Sequence, residues 1–417
     1  MSQDRYGLSL STRSASACEA YCAAVDVILA GTVGEEALLE RAVADDPSFA
    51  LAHAALARAR FLRARLPAAR ESMALARQHA EQASERERSH VVALSMPIEG
   101  KTGEALAATR AHLERWPRDA MVAAPATGVF GLIGFSGQPG REEDMDAFLA
   151  WLEPSYAGDW WFDTVKAFSE CETGRLAVAR ARIERSLEAN ARNAHGAHVK
   201  AHVLYELHED AEALRFLDAW MPGCAKEALM HCHLSWHVAV TALALGQSDR
   251  AWQAYREHVH PGGAWGPPIN VLSDAVAFLW RSELAGAARK PELWRDLREY
   301  GTAAFPKAGV FFADVHMALA LAATGDVDGL RQLAAALRER VAAGRLPPGA
   351  VVPDLVEAFG AYGAGDLDRS IGLLEKALPE TVRIGGSRAQ RDIVAKTLFA
   401  AYLEAGRPED ASRLPRH

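Results

Sequence analysis

Apolar residues recur at spacings of three and four along almost the whole chain, and alanine, leucine, arginine and glutamate dominate these segments. Such spacing places apolar side chains on one face of an α-helix. No segment alternates apolar and polar residues in the manner of a convincing β-strand. The pattern therefore predicts an all-α protein.

The predicted helices come in pairs with a constant internal spacing. A small residue in one helix is followed twelve residues later by alanine in the next, and glycine often lies between them, as at Gly174, Gly246, Gly325 and Gly365. Two close-packed helices need a small side chain where they cross, and glycine supplies the positive φ that ends the first helix. The first-helix alanines are Ala57, Ala93, Ala167, Ala201, Ala239, Ala277, Ala318 and Ala358.

These alanines mostly recur with a period in the middle to upper thirties, which is typical of tetratricopeptide-like (TPR-like) repeats. We predict one right-handed superhelical solenoid of TPR-like helical hairpins over residues 1–417. It is divided into N-terminal repeats (13–120), an irregular joint (121–158), central repeats with a His/Trp-rich pocket (159–340), and C-terminal repeats with a cap (341–417). Two stretches rich in glycine and proline, Gly128–Pro139 and Pro261–Pro268, are predicted loops.

Bulk composition restricts the class of protein. Half of the residues are hydrophobic, 24% are charged, and the formal net charge is -8, as expected of a folded protein without a basic binding patch. Cations are spread along helix faces, so we expect no nucleic-acid partner. The chain has no secretory pattern and no membrane-spanning apolar run, and its five cysteines are an odd, scattered set. We expect reduced thiols, a cytoplasmic location and no membrane partner.

Five segments carry a narrower resemblance. They are YGLSLSTRSASACEAYCAAVD, HVKAHVLYELHEDAEALRFLDAW, HCHLSWHVAVTALALG, SDAVAFLWRSEL and FADVHMALALAATGD. In this order along nearly the full chain, they resemble the tetratricopeptide repeat protein 38 family. The resemblance implies a full-length helical solenoid with a His/Trp-rich centre, and it supplies no established reaction or catalytic residue.

In TPR-like arrays the first helix of each hairpin lines the concave surface, and ligand contacts come from set positions around its small alanine. Applying those positions here selects Trp161, Thr164, Phe168, His195, His198, His202, His233, Trp236, Val240, Val271, Asp274 and Phe278. His198 and His202 are four residues apart, as are His233 and His237, so each pair shares one helix face. We therefore expect these imidazoles to converge on one wall.

An imidazole titrates near neutrality, and an aspartate beside it, Asp274 or Asp314, can hold its tautomer. The candidate catalytic residues are His198, His202, His233, His237 and Asp274. The candidate ligand-binding residues are Trp161, Phe168, His195, Trp236, Arg281 and His316. Arg281 either pairs with Asp274 or meets a substrate carboxylate.

Several interpretations of this wall stay open. The rings can be satisfied packing residues, and Cys232 can be a nucleophile only with a histidine from another helix. We assign no metal ligand and expect no cofactor, because neither histidine pair contains the glutamate of the His-Glu-x-x-His motif. A bound divalent metal is the alternative. No nucleotide-binding motif is present.

The predicted function is binding of a small molecule or peptide in the central pocket. The alternatives are a hydrolase or lyase in the same pocket, cofactor-independent or metal-assisted, and a protein-interaction scaffold. A homodimer also stays open. An open groove would indicate a scaffold, whereas a closed one with histidines in hydrogen-bond reach of one another would indicate an enzyme.

Overall fold

The computed structural model describes residues 2–414, and these are almost entirely helical. Two short antiparallel strands, β1 (Ser2–Gln3) and β2 (Ser9–Leu10), precede the helices. The first half contains α1 (Ala15–Ala30), α2 (Glu35–Asp45), α3 (Ala50–Leu62), α4 (Leu66–Ala80), α5 (Glu85–Ile98), α6 (Thr102–Arg115), α7 (Ala120–Ala123), α8 (Arg141–Leu152), α9 (Trp160–Glu172), α10 (Leu176–Ala189) and α11 (Ala194–Glu206). The second half contains α12 (Asp210–Trp220), α13 (His231–Ala244), α14 (Ser248–Ala254), α15 (Pro268–Leu284), α16 (Pro291–Ala304), α17 (Phe311–Ala323), α18 (Val327–Ala342), α19 (Val351–Gly363), α20 (Leu367–Ala377), α21 (Arg388–Glu404) and α22 (Pro408–Ser412).

Consecutive helices pack as hairpins, which confirms the predicted TPR-like solenoid. From α9 onward the first helix of each hairpin packs on the first helix of the next, so that α9, α11, α13, α15, α17 and α19 form an inner layer. The second helices lie outside it. All eight predicted first-helix alanines are buried, and the four turn glycines have positive φ, as the spacing required.

The C-terminal segment does more than cap the array. Helix α21 lies on the inner layer, against α15 and α11. The Trp280 Nε1–H of α15 donates to the Thr397 hydroxyl of α21 at 2.9 Å, and Tyr205 of α11 donates to the Asp392 carboxylate. One helix thus covers part of the surface that an open solenoid would expose.

The predicted irregular joint, 121–158, contains the twelve-residue helix α8 and a loop that reaches the C-terminal repeats. Phe135 of this loop stacks on Phe311 at a ring separation of 3.9 Å, and Phe130 lies 5.3 Å from Phe312. Arg141, at the start of α8, donates to the backbone carbonyl of Gly386. Aromatic packing therefore joins the joint to α17, and the Arg141 hydrogen bond joins it to the C-terminal repeats.

The second predicted loop is irregular from residue 260 to 267, after a π-helical turn at Tyr255–Val259. Its Trp265 ring lies 4.7 Å from the guanidinium of Arg63 in the N-terminal repeats. A Cβ built on Gly266 would lie 3.5 Å from Cys232, on α13. This loop therefore spans from the central repeats to the N-terminal ones.

No helix among residues 2–414 is long and apolar enough to cross a lipid bilayer. All five cysteines are free thiols, in agreement with the expectation from their number and spacing.

Closure at the C-terminal end depends on a glycine that touches an aromatic ring. Gly386 has φ +70°, and an added Cβ would lie 2.4 Å from Phe312 Cε2. Gly365 has nearly the same φ, +77°, with nothing within 4 Å. Gly386→Ala should lower the free energy of unfolding by about 1–3 kcal/mol more than Gly365→Ala, because only Gly386→Ala forces atoms apart. Denaturant melts of both variants test this, and equal losses would contradict the close approach.

Candidate functional site

Four imidazoles from two neighbouring helices converge inside the array. His198 and His202 belong to α11, and His233 and His237 belong to α13. Ring centroids lie 4.4 Å apart for His198 and His202, 4.9 Å for His233 and His237, and 4.6 Å for His202 and His237. One ring nitrogen from each residue lies within 4.8 Å of all the others. We call these residues the four-histidine cluster.

Helix register explains why the rings meet. Residues four apart lie one above the other on a helix, so each helix presents two imidazoles on one face. Helices α11 and α13 are neighbours in the inner layer. The start of α11 is set by Asn193, whose side chain accepts the Gly196 N–H at 3.0 Å. The spacing that the repeat imposes thus brings the two pairs together.

The cluster is enclosed by protein. His202, His233 and His237 are buried, whereas His198 keeps accessible surface and is the member that solvent-sized molecules can contact. Phe168 of α9 packs edge-on against His202, with ring centroids 5.4 Å apart. Trp236 stacks on His233 at 5.2 Å with planes inclined by 10°. Rings of two neighbouring aromatic residues therefore cover part of the cluster.

Asp274 of α15 holds one of the rings. The His233 Nδ1–H donates to Asp274 Oδ2 at 2.8 Å, and Asp274 is 1% exposed. Because a carboxylate only accepts, this bond places the proton of a neutral His233 on Nδ1 and leaves a lone pair on Nε2. Of the two aspartates considered, Asp274 is the one in contact with a ring of the cluster, and it favours the Nδ1–H tautomer of His233.

Several other polar atoms in and beside the cluster share a hydrogen-bond partner or have none among the described residues. His198 Nε2 and His202 Nε2 lie 2.7 Å apart, so a single proton between them serves both nitrogens. His202 Nδ1, His237 Nε2, Asp274 Oδ1 and Trp236 Nε1 are buried without a hydrogen-bond partner among the described residues. A buried polar group without a partner is costly, and a concentration of such groups indicates a missing ligand, ion or water.

Burial is the main reason why three of these imidazoles have a lowered pKa. It holds the pKa of His198, His202 and His237 well below the ordinary value for histidine, and the neighbouring imidazoles lower it further. A neutral ring keeps one lone pair. His198, His202 and His237 therefore offer nitrogen lone pairs at neutral pH rather than positive charge.

Arg281 lies beside the cluster, but its carboxylate partner differs from the predicted one. Its guanidinium is 5.4 Å from the Trp236 ring, and it pairs with Asp392 of α21 instead of Asp274. Asp392 also accepts from Tyr205. The prediction of an Arg281–Asp274 pair was wrong because it considered only the local sequence, whereas α21 is brought in from more than a hundred residues away.

Other predicted residues lie apart from the four imidazoles. Trp161 packs with Tyr156 and Phe162 in the N-terminal core, with ring separations of 5.4 Å and 6.4 Å. His195, one turn before His198, contacts Gly31, where an added Cβ would lie 2.8 Å from the His195 ring. The set positions around the small alanine identify one face of a helix. They do not identify the neighbouring residues that this face contacts.

His316 on α17 is held separately. Its Nδ1–H donates to the Phe312 carbonyl at 2.8 Å, and burial lowers its pKa to about 4. Its Nε2 is buried without a partner among the described residues. Asp314, two residues earlier, accepts the Gly309 N–H at 2.9 Å, and burial raises its pKa to about 6.

Sequence reasoning missed Asp392 and Tyr205. Asp392, on α21, is buried and pairs with Arg281, and Tyr205, on α11, is partly buried and donates to Asp392. Tyr205 lies in the segment already singled out, but no local pattern connects α21 to the central repeats. Cys232, in contrast, is fully buried, and burial raises the pKa of its thiol well above the ordinary value, which disfavours a nucleophilic role.

A second histidine cluster in the N-terminal repeats has a different character. The carboxylate oxygen Oδ2 of buried Asp119 accepts from Arg86 at 2.7 Å, His90 at 2.9 Å and His112 at 3.2 Å. An arginine thus already supplies the cation that this carboxylate needs. This cluster is a structural charge network.

No protein-family model matches the chain. Among solved structures, it is similar to human IFIT1, from a dimer with m7Gppp-AAAA, at 12% identity over 98% of this chain and 94% of that chain, with a TM-score of 0.43. It is also similar to a chain of Naa15/Naa10 bound to HypK-THB, at 14% identity over 95% of this chain and 62% of that chain, with a TM-score of 0.23. Both are helical-repeat proteins, and the likeness assigns no ligand to this chain.

One expectation needs correction here. The expectation of no nucleic-acid partner was wrong, because a helical-repeat fold does not exclude one: the human IFIT1 structure contains a capped RNA. That expectation used net charge and the scatter of cations along helix faces. The charge of a concave wall is a local property that bulk composition does not report.

Asp119→Asn should lower the free energy of unfolding by about 3–5 kcal/mol, because it leaves buried Arg86 without its counter-charge. Burial alone would raise the pKa of Asp119, but His90, His112 and Arg86 outweigh it, and the pKa lies well below its usual range. Its contribution is therefore complete above the unfolded-state pKa of about 4 and is lost as the pH falls below that value.

Thermal unfolding measured from pH 7 to pH 3 tests both statements. Wild type should lose stability in the acid range more steeply than Asp119→Asn. The control is Asp328→Asn, in an exposed pair with Arg331, which should change little. Parallel acid slopes for wild type and Asp119→Asn would contradict the linkage.

Proposed function

We propose that the protein is an enzyme that acts on a small molecule at the four-histidine cluster by proton transfer, as a hydrolase or lyase does. The observation that supports this most is the convergence of four imidazoles, three of them buried, with unsatisfied polar atoms. A site built only for packing would pair those atoms. A site built for chemistry leaves them for the substrate.

Enclosure supports a small molecule over a peptide. Helix α21 lies on α11 and α15, where an extended chain would otherwise run along the inner layer. The loop at residues 260–267 contacts both α13 and the N-terminal repeats. A ligand at the cluster is thus taken out of bulk water, which strengthens hydrogen bonds and proton transfer.

Individual residues can be given roles within this proposal. His233, with its Nδ1–H on Asp274, has Nε2 free to accept a proton and is the proposed general base. Trp236 Nε1–H is an available donor, and Phe168 supplies an apolar wall. His198, the accessible member, is where substrate first meets the cluster.

The finer family assignment belongs to the same proposal. Three of the five segments that resemble the tetratricopeptide repeat protein 38 family contain the four-histidine cluster, Trp236 and Asp274. We infer that the resemblance reflects this site as well as the helical scaffold.

The test uses the purified full chain and a protein-free small-molecule extract of the expression host, compared by mass spectrometry before and after incubation. Wild type should consume at least one compound that His233→Gln consumes about 10²–10⁴ times more slowly, the usual effect of losing a general base. The control is His208→Asn, because His208 is exposed with φ +58°, a conformation that asparagine tolerates.

Consumption by wild type and His208→Asn but not by His233→Gln is the expected result. No change in any compound, or equal consumption by all three proteins, would contradict an enzymatic role for the cluster.

A further inference from the structure

We propose that the four-histidine cluster binds one divalent first-row transition-metal ion through one ring nitrogen of each histidine. Metal binding is inferred from the geometry of the cluster. Only the use of the ion in a reaction rests on the proposed function, because both proposals concern the same site. The evidence for metal binding is the donor set, the unsatisfied atoms and the contrast with the second histidine cluster.

The donor geometry surrounds a point at bonding distance. With metal–nitrogen bonds of about 2.0–2.1 Å, nitrogens at the corners of a tetrahedron lie about 3.4 Å apart. In the structure the four ring nitrogens lie within 4.8 Å of one another, and the nearest pair, His198 Nε2 and His202 Nε2, is 2.7 Å apart. The required spacing falls between these values, so modest side-chain rotations reach it.

The unsatisfied atoms lie where an ion would use them. His237 Nε2 is buried without a partner among the described residues. His198 Nε2 and His202 Nε2 contact each other, so one proton serves both nitrogens. An ion replaces this shared contact with separate bonds to both. The ion would also give His237 Nε2 a bonding partner.

Asp274 completes the arrangement from behind. A metal-binding histidine commonly donates its other ring N–H to a carboxylate, which fixes the tautomer and makes the ligating nitrogen more basic. His233 Nδ1–H does this to Asp274 at 2.8 Å and leaves Nε2 for the ion. With an ion bound there, His233 would hold the ion instead of acting as the base itself, and the ion would supply a bound water of lowered pKa for that role. The buried carboxylate also compensates part of the charge of a divalent cation.

A cation beside the cluster is partly compensated. Arg281 is paired with Asp392, which offsets part of the positive charge that would otherwise act on His237. In the N-terminal cluster, by comparison, Arg86 donates to the same Asp119 oxygen that His90 and His112 contact. There the arginine takes the place of a metal, and we infer no ion.

The ligand type restricts the ion. Imidazole nitrogens suit zinc, nickel, copper and iron, whereas magnesium and calcium prefer oxygen. Four nitrogens around one point fit the tetrahedral preference of zinc. A five- or six-coordinate ion would keep positions open for a ligand, and His198, with its accessible surface, marks the side from which one would come.

The first experiment needs no variant. Elemental analysis of the purified full chain should find about one transition-metal ion per chain. After removal of metal with a chelator, Co²⁺ added as a probe should give the intense visible absorption of a tetrahedral nitrogen site, and Zn²⁺ should displace it. Absence of stoichiometric metal together with absence of a Co²⁺ spectrum would overturn the proposal.

Variants then locate the ion. His202→Gln combined with His237→Gln should reduce bound metal at least tenfold and abolish the Co²⁺ absorption. The matched control is His112→Gln, also a buried histidine but in the Asp119 network, which should retain the full content. Circular dichroism confirms that each variant is folded. Metal retained by the double variant, or lost equally from the control, would contradict the assignment.

These results are separable from those for the proposed function. Bound metal without consumption of any compound would overturn the enzymatic proposal and leave the metal site. Consumption by a chain that contains no stoichiometric metal and gives no Co²⁺ absorption would overturn the metal site and leave the enzyme.

Discussion

Buried imidazole nitrogens require partners, and the centre of this molecule depends on how that requirement is met. Three of the four clustered rings are buried, and the fourth keeps accessible surface. Asp274 satisfies His233, while His198 and His202 share a contact, and His237 Nε2 has no partner among the described residues. A helical-hairpin array could place leucine at these positions without difficulty. The four imidazoles there are the basis of both the proposed function and the proposed metal site.

The rest of the structure encloses these rings. A repeat array grows in one dimension and leaves its inner surface open to solvent. Here α21 returns across α11 and α15, and the Arg281–Asp392 pair forms where it meets the central repeats. The loop after α7 packs Phe135 on Phe311. These contacts convert an open solenoid into one with a covered interior, which is the environment that proton transfer or metal binding requires.

Local features of the fold were predictable from the sequence, and distant contacts were not. The hairpins, their crossing alanines and the turn glycines follow from spacing alone, because each is decided within about forty residues. Convergence of His198 with His233 also followed, since neighbouring repeats place equivalent positions side by side. The Asp392 partner of Arg281 and the separate packing of Trp161 depend on contacts that no periodicity encodes. Net charge likewise does not exclude a nucleic-acid partner, because it does not report the charge of one wall of the array.

The most direct measurement of the central claim is a crystal structure of the full chain soaked in Zn²⁺, with diffraction collected on both sides of the zinc absorption edge. The account predicts one strong anomalous peak bonded to nitrogens of His198, His202, His233 and His237, with Asp274 still hydrogen-bonded to His233. Rings turned away from one another, each bonded to its own backbone carbonyl and with no anomalous peak between them, would contradict it.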